Sequence, residues 1–195
     1  MNAYSMSAKD VLALMERLEA HDVEACIGGG WAVDALLGEQ TREHSDLDLW
    51  VPAAHLEPLF VAFAEAGVDR VFPWPGDRPW NFVLHDGARL RVDLHLYEPL
   101  ADGSLHYGSV VTGSSIPSDA FAGRGSIAGI IVRCESAAWA VRCHTGYPAR
   151  DVDHHDVPLL CQRFGIPLPE GFGPLEEHPQ GADPRSRNSG PRPTA

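Results

Sequence analysis

The sequence predicts an α/β (α+β) protein in which helices flank a mixed sheet. Apolar residues recur with helical spacing near the start of the chain, where Val11, Leu14 and Leu18 share one face. In "ARLRVDLHLYE" (88–98), apolar and polar residues alternate instead, which is typical of a strand with one buried face. The strand-like "NFVLH" lies just before it, and Asp86-Gly87 between the two segments predicts a hairpin.

The remaining elements follow from the same patterns. In chain order we expect a capped helix from about residue 8, a buried strand at 23–27, a glycine turn at 28–30, a short helix at 31–38, a strand at 47–51, a helix at 55–67, the hairpin, a second hairpin around Gly129, a helix capped by Ser136 and a helical segment at 151–164. Pro158 lies inside the last segment, so we expect a kink or two short helices there.

We expect three regions along the chain. Residues 1–100 would form the main lobe and residues 101–175 a small C-terminal lobe on the acceptor side. Residues 176–195 are rich in Pro, Gly, Ser and charge without apolar periodicity, which predicts a disordered tail.

Composition indicates a globular cytoplasmic protein. The chain has 195 residues, of which 44% are hydrophobic. It contains no run approaching the roughly 18 apolar residues of a membrane span, and its first residues lack a secretory signal pattern. The four cysteines are widely spaced, which favours buried thiols over zinc ligands or disulfides.

The net charge of −12 argues against a nucleic-acid partner, because phosphate backbones need clustered basic residues and Lys9 is the single lysine. An acidic surface can attract a cationic small molecule. It can equally serve only to keep the protein in solution.

Asp46 and Asp48 alternate with Leu47 and Leu49 in a stretch that otherwise resembles a buried strand. Side chains at positions i and i+2 of a strand leave the same face, so the two carboxylates point the same way. A third carboxylate, Asp93, lies on the polar face of the later strand. If the strands share a sheet, all three can converge.

Three converging carboxylates need cations. At separations of about 5 Å each pair repels by roughly 3 kcal/mol at an effective dielectric near 20. Magnesium takes oxygen ligands and keeps room for substrate phosphates, and two such ions can serve an in-line displacement at phosphorus. The triple glycine at 28–30 adds a second feature, because a glycine turn before a helix lets backbone N–H groups approach phosphate oxygens.

The order "GGGWAVDALLGEQTREHSDLDL", then "RVDLH", then "CHTGY" and "HDVPLLCQRFGIPLP", resembles the aminoglycoside 2''-adenylyltransferase and lincosamide nucleotidyltransferase group. This group belongs to the DNA polymerase β-like nucleotidyltransferase superfamily. The resemblance covers roughly residues 8–172 and is most specific between the glycines and the Asp-x-Asp pair.

The resemblance implies a polymerase β-like fold and a set of site residues. Asp46 and Asp48 would bind both magnesium ions, and Asp93 would be the third ligand or the base that accepts the acceptor's proton. Gly29 and Gly30 would hold the nucleoside triphosphate, with Arg42 nearby.

Several residues admit two interpretations. Arg42 can contact the triphosphate or form a structural ion pair, and His44 can orient a carboxylate or touch phosphate, or make an ordinary hydrogen bond. Trp31 can stack on a base, although a core role is favoured. The histidines show no short spacing that would supply a zinc site.

We therefore expect an enzyme that moves a nucleoside monophosphate, with AMP expected, from Mg-ATP or another Mg-NTP to a hydroxyl of an antibiotic. An aminoglycoside is the first choice of acceptor and a lincosamide the alternative. Two rivals stay open: a nucleotide-binding or antitoxin-like protein without turnover, and an enzyme that nucleotidylates a protein. Neither a nucleic acid nor a membrane is expected as a partner.

Overall fold

The computed structural model describes residues 4–73 and 75–173. The helices are α1 (Ala8–Ala20), α2 (Gly29–Leu37), α3 (Leu56–Glu65), α4 (Ala137–Cys143) and α5 (Asp151–Phe164), with a 3-10 turn at Ala53–His55. The strands are β1 (Cys26–Gly28), β2 (Leu47–Pro52), β3 (Arg70–Phe72), β4 (Asn81–His85), β5 (Arg91–Pro99), β6 (Leu105–Tyr107), β7 (Ser114–Ile116), β8 (Gly123–Ile127) and β9 (Ile130–Cys134).

The strands form one mixed sheet in the order β3-β4-β5-β2-β1-β9-β8, and β6 and β7 continue from β5. The pairs β2–β5 and β1–β9 are parallel, and the other pairs are antiparallel. The mixed sheet with flanking helices confirms the predicted fold class.

The two faces of the central strands differ in chemistry. Leu49 of β2 and Leu94 of β5 are fully buried and pack in the main core with Leu18 of α1 and Phe63 of α3. Because alternate residues of a strand point to opposite faces, Asp48 and Asp93 emerge on the other side of the sheet. The apolar core therefore fixes the direction in which the carboxylates point.

Helices α2, α4 and α5 pack around a second core, to which Val33, Val157 and Leu160 contribute fully buried side chains. Of the two outcomes expected at Pro158, a kink or two short helices, the second was wrong, since α5 is a single helix with the proline inside it. An interior proline costs about 3 kcal/mol. The burial of Val157 and Leu160 on either side of it offsets that cost.

The glycine segment also differs from expectation. The residues at 28–30 do not form a separate turn, because Gly28 ends β1 and α2 begins at Gly29. The strand itself starts at Cys26, three residues later than the segment 23–27 predicted. The helix ends as predicted, at Gly38, which adopts a left-handed conformation with φ of 82°.

Strands β8 and β9 extend the sheet across the boundary expected at residue 100, so both predicted lobes contribute to one sheet. We keep the division into 1–100 and 101–175 as a proposal. The tail predicted at 176–195 lies outside the described residues. Within the described ranges, no helix is both long and apolar enough to cross a bilayer.

Candidate active site

Strand register brings the glycine segment and two of the predicted carboxylates side by side. Gly28 of β1 pairs with Asp48 of β2, and Asp48 pairs with Asp93 of β5. The three residues form a row across neighbouring strands. The convergence that the sequence suggested is thus a consequence of the sheet register.

Asp48, Asp93 and His95 place one potential ligand atom each within 4.8 Å of one another. His95 Nε2 lies 3.6 Å from Asp48 Oδ1 and 3.9 Å from Asp93 Oδ1. Asp46 precedes β2 and lies in the same cleft, but its carboxylate is 3.9 Å from Arg91 Nε instead. The central group is therefore two carboxylates and a histidine, with Asp46 beside it.

Burial and mutual repulsion raise the pKa values of two of these acids. Burial raises the pKa of Asp93 to about 6, with Asp48 adding to the rise and His95 opposing it. Burial and the Asp48 charge also raise the pKa of Asp46. Burial would raise the pKa of Asp48 as well, but the contact with His95, together with the charges of His144 and Arg150, outweighs burial and lowers it. Asp48 is thus held as an anion, and Asp93 is able to exchange a proton near neutral pH.

Gly29 and Gly30 open α2 against the carboxylate row. Gly29 has a φ of 55°, and a Cβ atom there would overlap the Asp48 carboxylate. A Cβ atom on Gly30 would overlap Arg42 Nη2 and the His44 ring. A side chain at Gly29 would be strained and would overlap Asp48, and both glycines line the cleft at the start of α2.

Arg42 and His44 are each held by a buried acid. Arg42 Nη2 donates to Asp156 Oδ2 at 2.7 Å, and its Nε donates to Asp156 Oδ1 at 3.0 Å. His44 Nε2 hydrogen-bonds to Asp34 Oδ2. Arg42 therefore makes the structural ion pair that was one of its two interpretations. It also lines the cleft, as the other interpretation, contact with the triphosphate, requires.

Trp31 takes the core role. Its side chain is only 1% exposed, and its ring lies 4.4 Å from the His44 ring, centroid to centroid. At the start of α2 it packs against His44 and does not line the cleft.

A second wall of the cleft comes from α4 and the start of α5. His144 caps α4, and its Nδ1 lies 2.8 Å from Asp153 Oδ1. Tyr147 donates its hydroxyl to the same oxygen at 2.9 Å, and Arg150 Nε donates to Asp153 Oδ2 at 3.0 Å. Three donors are thus gathered on one fully buried carboxylate.

Trp50, Glu135 and His95 form a third wall. The Trp50 indole N–H donates to Glu135 Oε1 at 2.6 Å, and the Trp50 ring stacks on the His95 ring at 4.6 Å. His95 Nδ1 lies 2.9 Å from the Tyr107 hydroxyl. Burial raises the pKa of Glu135 to about 7, so this acid also titrates near neutrality.

These walls enclose a cleft of about 520 Å³, which is in the range of small-ligand sites. It is lined by Gly29, Gly30, Arg42, His44, Ser45, Asp46, Asp48, Trp50, Arg91, Asp93, His95, Glu135, Cys143, His144, Tyr147, Arg150 and Val152. All six residues predicted for the site are among them.

Sequence reasoning missed several residues of the cleft. His95 could have been found, because it follows Asp93 by two positions and shares its strand face. Glu135, His144 and Arg150 carry no such local signal. They enter the cleft through the packing of α4 and α5 on α2, which the sequence pattern does not specify.

The donor set suits a hard divalent cation. Asp46, Asp48 and Asp93 offer anionic oxygens, which magnesium prefers, and their repulsion leaves a need for positive charge. One histidine among these carboxylates does not make a zinc site with three or four nitrogen or sulfur ligands.

A helix start beside a row of carboxylates is the arrangement expected of a nucleotidyltransferase. A family model described as aminoglycoside-2''-adenylyltransferase matches residues 10–160. The chain belongs to this family. Its members use a nucleoside triphosphate and, in general, a divalent metal.

Two relatives show how the similarity is distributed. A lincosamide resistance protein from Staphylococcus haemolyticus is 24% identical over 160 residues, which cover 82% of this chain and 98% of the relative. A 2''-aminoglycoside nucleotidyltransferase from Escherichia coli is 65% identical over 112 residues, which are 56% of either chain. The chain thus matches about half the length of the second relative.

Two solved structures share the fold. The lincosamide adenylyltransferase LnuA, in a lincomycin-bound crystal structure, superposes with a TM-score of 0.69 at 24% identity, covering 80% of this chain and 97% of that one. ANT(2")-Ia, in complex with adenylyl-2"-tobramycin, gives 0.63 at 23% identity, covering 80% and 87%. At these identities the likeness establishes the shared fold alone.

Proposed function

We propose that the protein transfers a nucleoside monophosphate, with AMP expected, from a magnesium-bound nucleoside triphosphate to a hydroxyl of an aminoglycoside. The observation that carries this proposal is the row formed by Gly28, Asp48 and Asp93 across three strands. The start of α2, which is suited to bind phosphate, lies beside the carboxylates in a cleft of suitable size, and this supports the proposal.

Each predicted residue then has a task. The backbone N–H groups at Gly29 and Gly30 bind the triphosphate, and Arg42 lies close enough to Gly30 to add a cationic donor. Asp46, Asp48 and Asp93 would hold two magnesium ions. When bound, these ions supply charge stabilisation for the attacking and leaving oxygens.

Asp93 is suited to accept the acceptor's proton. The hydroxyl oxygen forms a bond to the α-phosphorus, the bond from that phosphorus to the bridging oxygen of the β-phosphate breaks, and pyrophosphate leaves. The hydroxyl proton passes to an Asp93 oxygen, whose raised pKa lets it hold the proton. Asn81 Nδ2 donates to Asp93 Oδ1 at 2.8 Å and fixes the orientation of the carboxylate.

Two observations favour a cationic acceptor. The chain carries a net charge of −12, and the cleft contains Glu135 in addition to the three aspartates. Amino groups on the acceptor would find carboxylate partners there. A lincosamide remains the second candidate, since the lincosamide resistance protein matches this chain along nearly its whole length.

The test is a transfer assay. The protein is incubated with magnesium, each nucleoside triphosphate in turn and a panel that includes tobramycin and lincomycin, and products are identified by mass spectrometry. We expect one nucleoside monophosphate added to an aminoglycoside. Products formed only from lincosamides would show that the acceptor is a lincosamide and that the reaction is as proposed. The absence of a product from every compound in the panel would overturn the proposal.

A further inference from the structure

His144 has one ring nitrogen occupied and the other free. Nδ1 is hydrogen-bonded to Asp153, whereas Nε2 is buried and has no hydrogen-bond partner among the described residues. The side chain is nine-tenths or more buried, and the ring lines the cleft. A buried polar nitrogen without a partner costs free energy, which a ligand in the cleft would recover.

The surroundings of His144 favour an anionic ligand. Tyr147 and Arg150 also line the cleft, and both donate to the Asp153 carboxylate that holds His144. The charges of His144 and Arg150 also act on Asp48, which shows that they lie near the catalytic carboxylates. This wall therefore brings basic side chains close to the carboxylates, where the phosphates of the nucleotide would bind.

We infer that His144 binds the triphosphate of the nucleotide through Nε2, with Asp153 as its positioning residue. This inference rests on the proposed function and extends it to the C-terminal part of the chain. Asp153 accepts the hydrogen bond at Nδ1 and fixes the orientation of the ring, as a carboxylate behind a histidine does in other sites. Nε2–H is then the donor that faces phosphate oxygen.

A proton-accepting role for His144 fits the structure less well. His144 shares the Asp153 carboxylate with Arg150, whose charge favours a negatively charged ligand such as triphosphate over a neutral hydroxyl at Nε2. Asp93 already provides a proton acceptor at the carboxylate row.

Two substitutions separate the two ring nitrogens. His144→Asn places an amide near the Nδ1 position and keeps the bond to Asp153, but removes the nitrogen that faces the cleft. His144→Gln places its amide near the Nε2 position and gives up the bond to Asp153. His154→Gln, on the exposed side of the neighbouring α5 turn, is the matched control.

The measurement is the dissociation constant of Mg-ATP, and of inorganic tripolyphosphate, determined by calorimetry without an acceptor. We expect His144→Asn to weaken both by about tenfold, as for the loss of one charge-assisted hydrogen bond, and His144→Gln to bind more tightly than His144→Asn. His154→Gln should bind like the wild type. The transfer rate at saturating ATP is measured in parallel, so that a loss of affinity can be separated from a loss of proton transfer.

Normal binding by His144→Asn would overturn the inference. Weaker binding by His144→Gln than by His144→Asn would also overturn it, because the bond to Asp153 would then be the part that matters. A lower rate at unchanged affinity would assign proton transfer instead. The absence of any transferred product, with these affinities behaving as expected, would count against the proposed function alone.

Discussion

At the scale of single residues, the cleft contains neighbouring acids whose pKa values differ. Contact with His95 lowers the pKa of Asp48, whereas burial raises the pKa of Asp93 to about 6. One carboxylate therefore stays ionised for cation binding, and its neighbour can carry a proton. Neighbouring acids with divergent pKa values are a common basis for acid–base chemistry.

Replacing Asp93 tests its part in the reaction. We expect Asp93→Asn to lower kcat by about a hundredfold or more, because an amide cannot accept the proton. Nucleotide affinity, measured by calorimetry, should fall less. Asp119→Asn, at an exposed site outside the cleft, is the control. An unchanged rate would remove Asp93 from the site, and equal losses of rate and affinity would make it mainly a metal ligand.

The raised pKa of Glu135 predicts how the free energy of unfolding depends on pH. In the folded protein its pKa is about 7, against a usual 4.5, so the folded state retains a proton that the unfolded chain releases between these values. Stability must then fall as pH rises from about 4.5 to 7, by up to about 3 kcal/mol from this group. Glu135→Gln keeps an oxygen for the Trp50 N–H and removes the titration.

The measurement is the unfolding free energy of both proteins across this pH range. We expect the unfolding free energy of Glu135→Gln to rise relative to that of the wild type as pH increases. Asp93 and Asp46 titrate in both proteins and cancel in the difference. A difference that stays constant with pH would show that Glu135 does not hold a proton in the folded state.

The site residues that can be predicted from the sequence are those whose direction is fixed by the strand in which they lie or which they adjoin. Asp48 and Asp93 lie in strands and alternate with apolar residues, so their shared face follows from strand geometry, and Asp46 immediately precedes β2. Glu135 and His144 each belong to short segments whose direction depends on tertiary packing. The local sequence pattern therefore could not predict the raised pKa of Glu135 or the unpaired ring nitrogen of His144.

At the scale of elements, the start of α2 is the most constrained part of the molecule. Gly29 combines a left-handed φ of 55° with close approach to the Asp48 carboxylate. The cap of the same helix, Gly28, supplies no side-chain hydrogen bond. The first N–H groups of α2 are therefore left for a ligand.

Gly29→Ala should abolish nucleotide binding, because its methyl group displaces Asp48 and the backbone leaves its left-handed conformation. Gly67→Ala is a matched control, since Gly67 has a φ of 72° and open space around it. Both variants should lose about 1 kcal/mol of stability from the backbone conformation. Calorimetry with Mg-ATP should then distinguish them, and normal nucleotide binding by Gly29→Ala would contradict the role given to the helix start.

The elements themselves were largely predictable, with two instructive errors. The hairpin at Asp86-Gly87 follows from local turn chemistry, and Asp86 Oδ1 accepts bonds from the N–H groups of residues 88, 89 and 90. The break expected at Pro158 did not follow, because burial against α2 and α4 outweighs a local propensity. The late start of β1 has the same origin, since pairing with β2 and not hydrophobicity sets its first residue.

At the scale of the whole molecule, the cleft lies where the sheet meets α2, α4 and α5. Strands β2 and β5 supply Asp48, Asp93, Arg91 and His95, whereas the segments that flank α2, α4 and α5 supply the other basic groups, Arg42, His44, His144 and Arg150. We expect these segments to bind the anionic nucleotide and the carboxylates to attract a cationic acceptor. The net charge of −12 reinforces attraction of such an acceptor over longer distances.

Salt should therefore weaken acceptor binding. The apparent affinity for an aminoglycoside should fall as ionic strength rises through the physiological value, where the screening length is about 8 Å. The rate at saturating acceptor should change little, which separates screening from damage to the enzyme. Steady-state kinetics at several salt concentrations provides the measurement. An affinity that is insensitive to salt would argue for apolar recognition and for the lincosamide alternative.

The central claim is that the carboxylate row couples formation of a nucleotidylated antibiotic to release of pyrophosphate. The most direct measurement quantifies both products in one reaction with Mg-ATP and an aminoglycoside, for the wild type and for Asp48→Asn. We predict equal amounts of adenylylated antibiotic and pyrophosphate from the wild type, and neither from a folded Asp48→Asn protein. Pyrophosphate without modified antibiotic, or near-normal product from Asp48→Asn, would contradict the account.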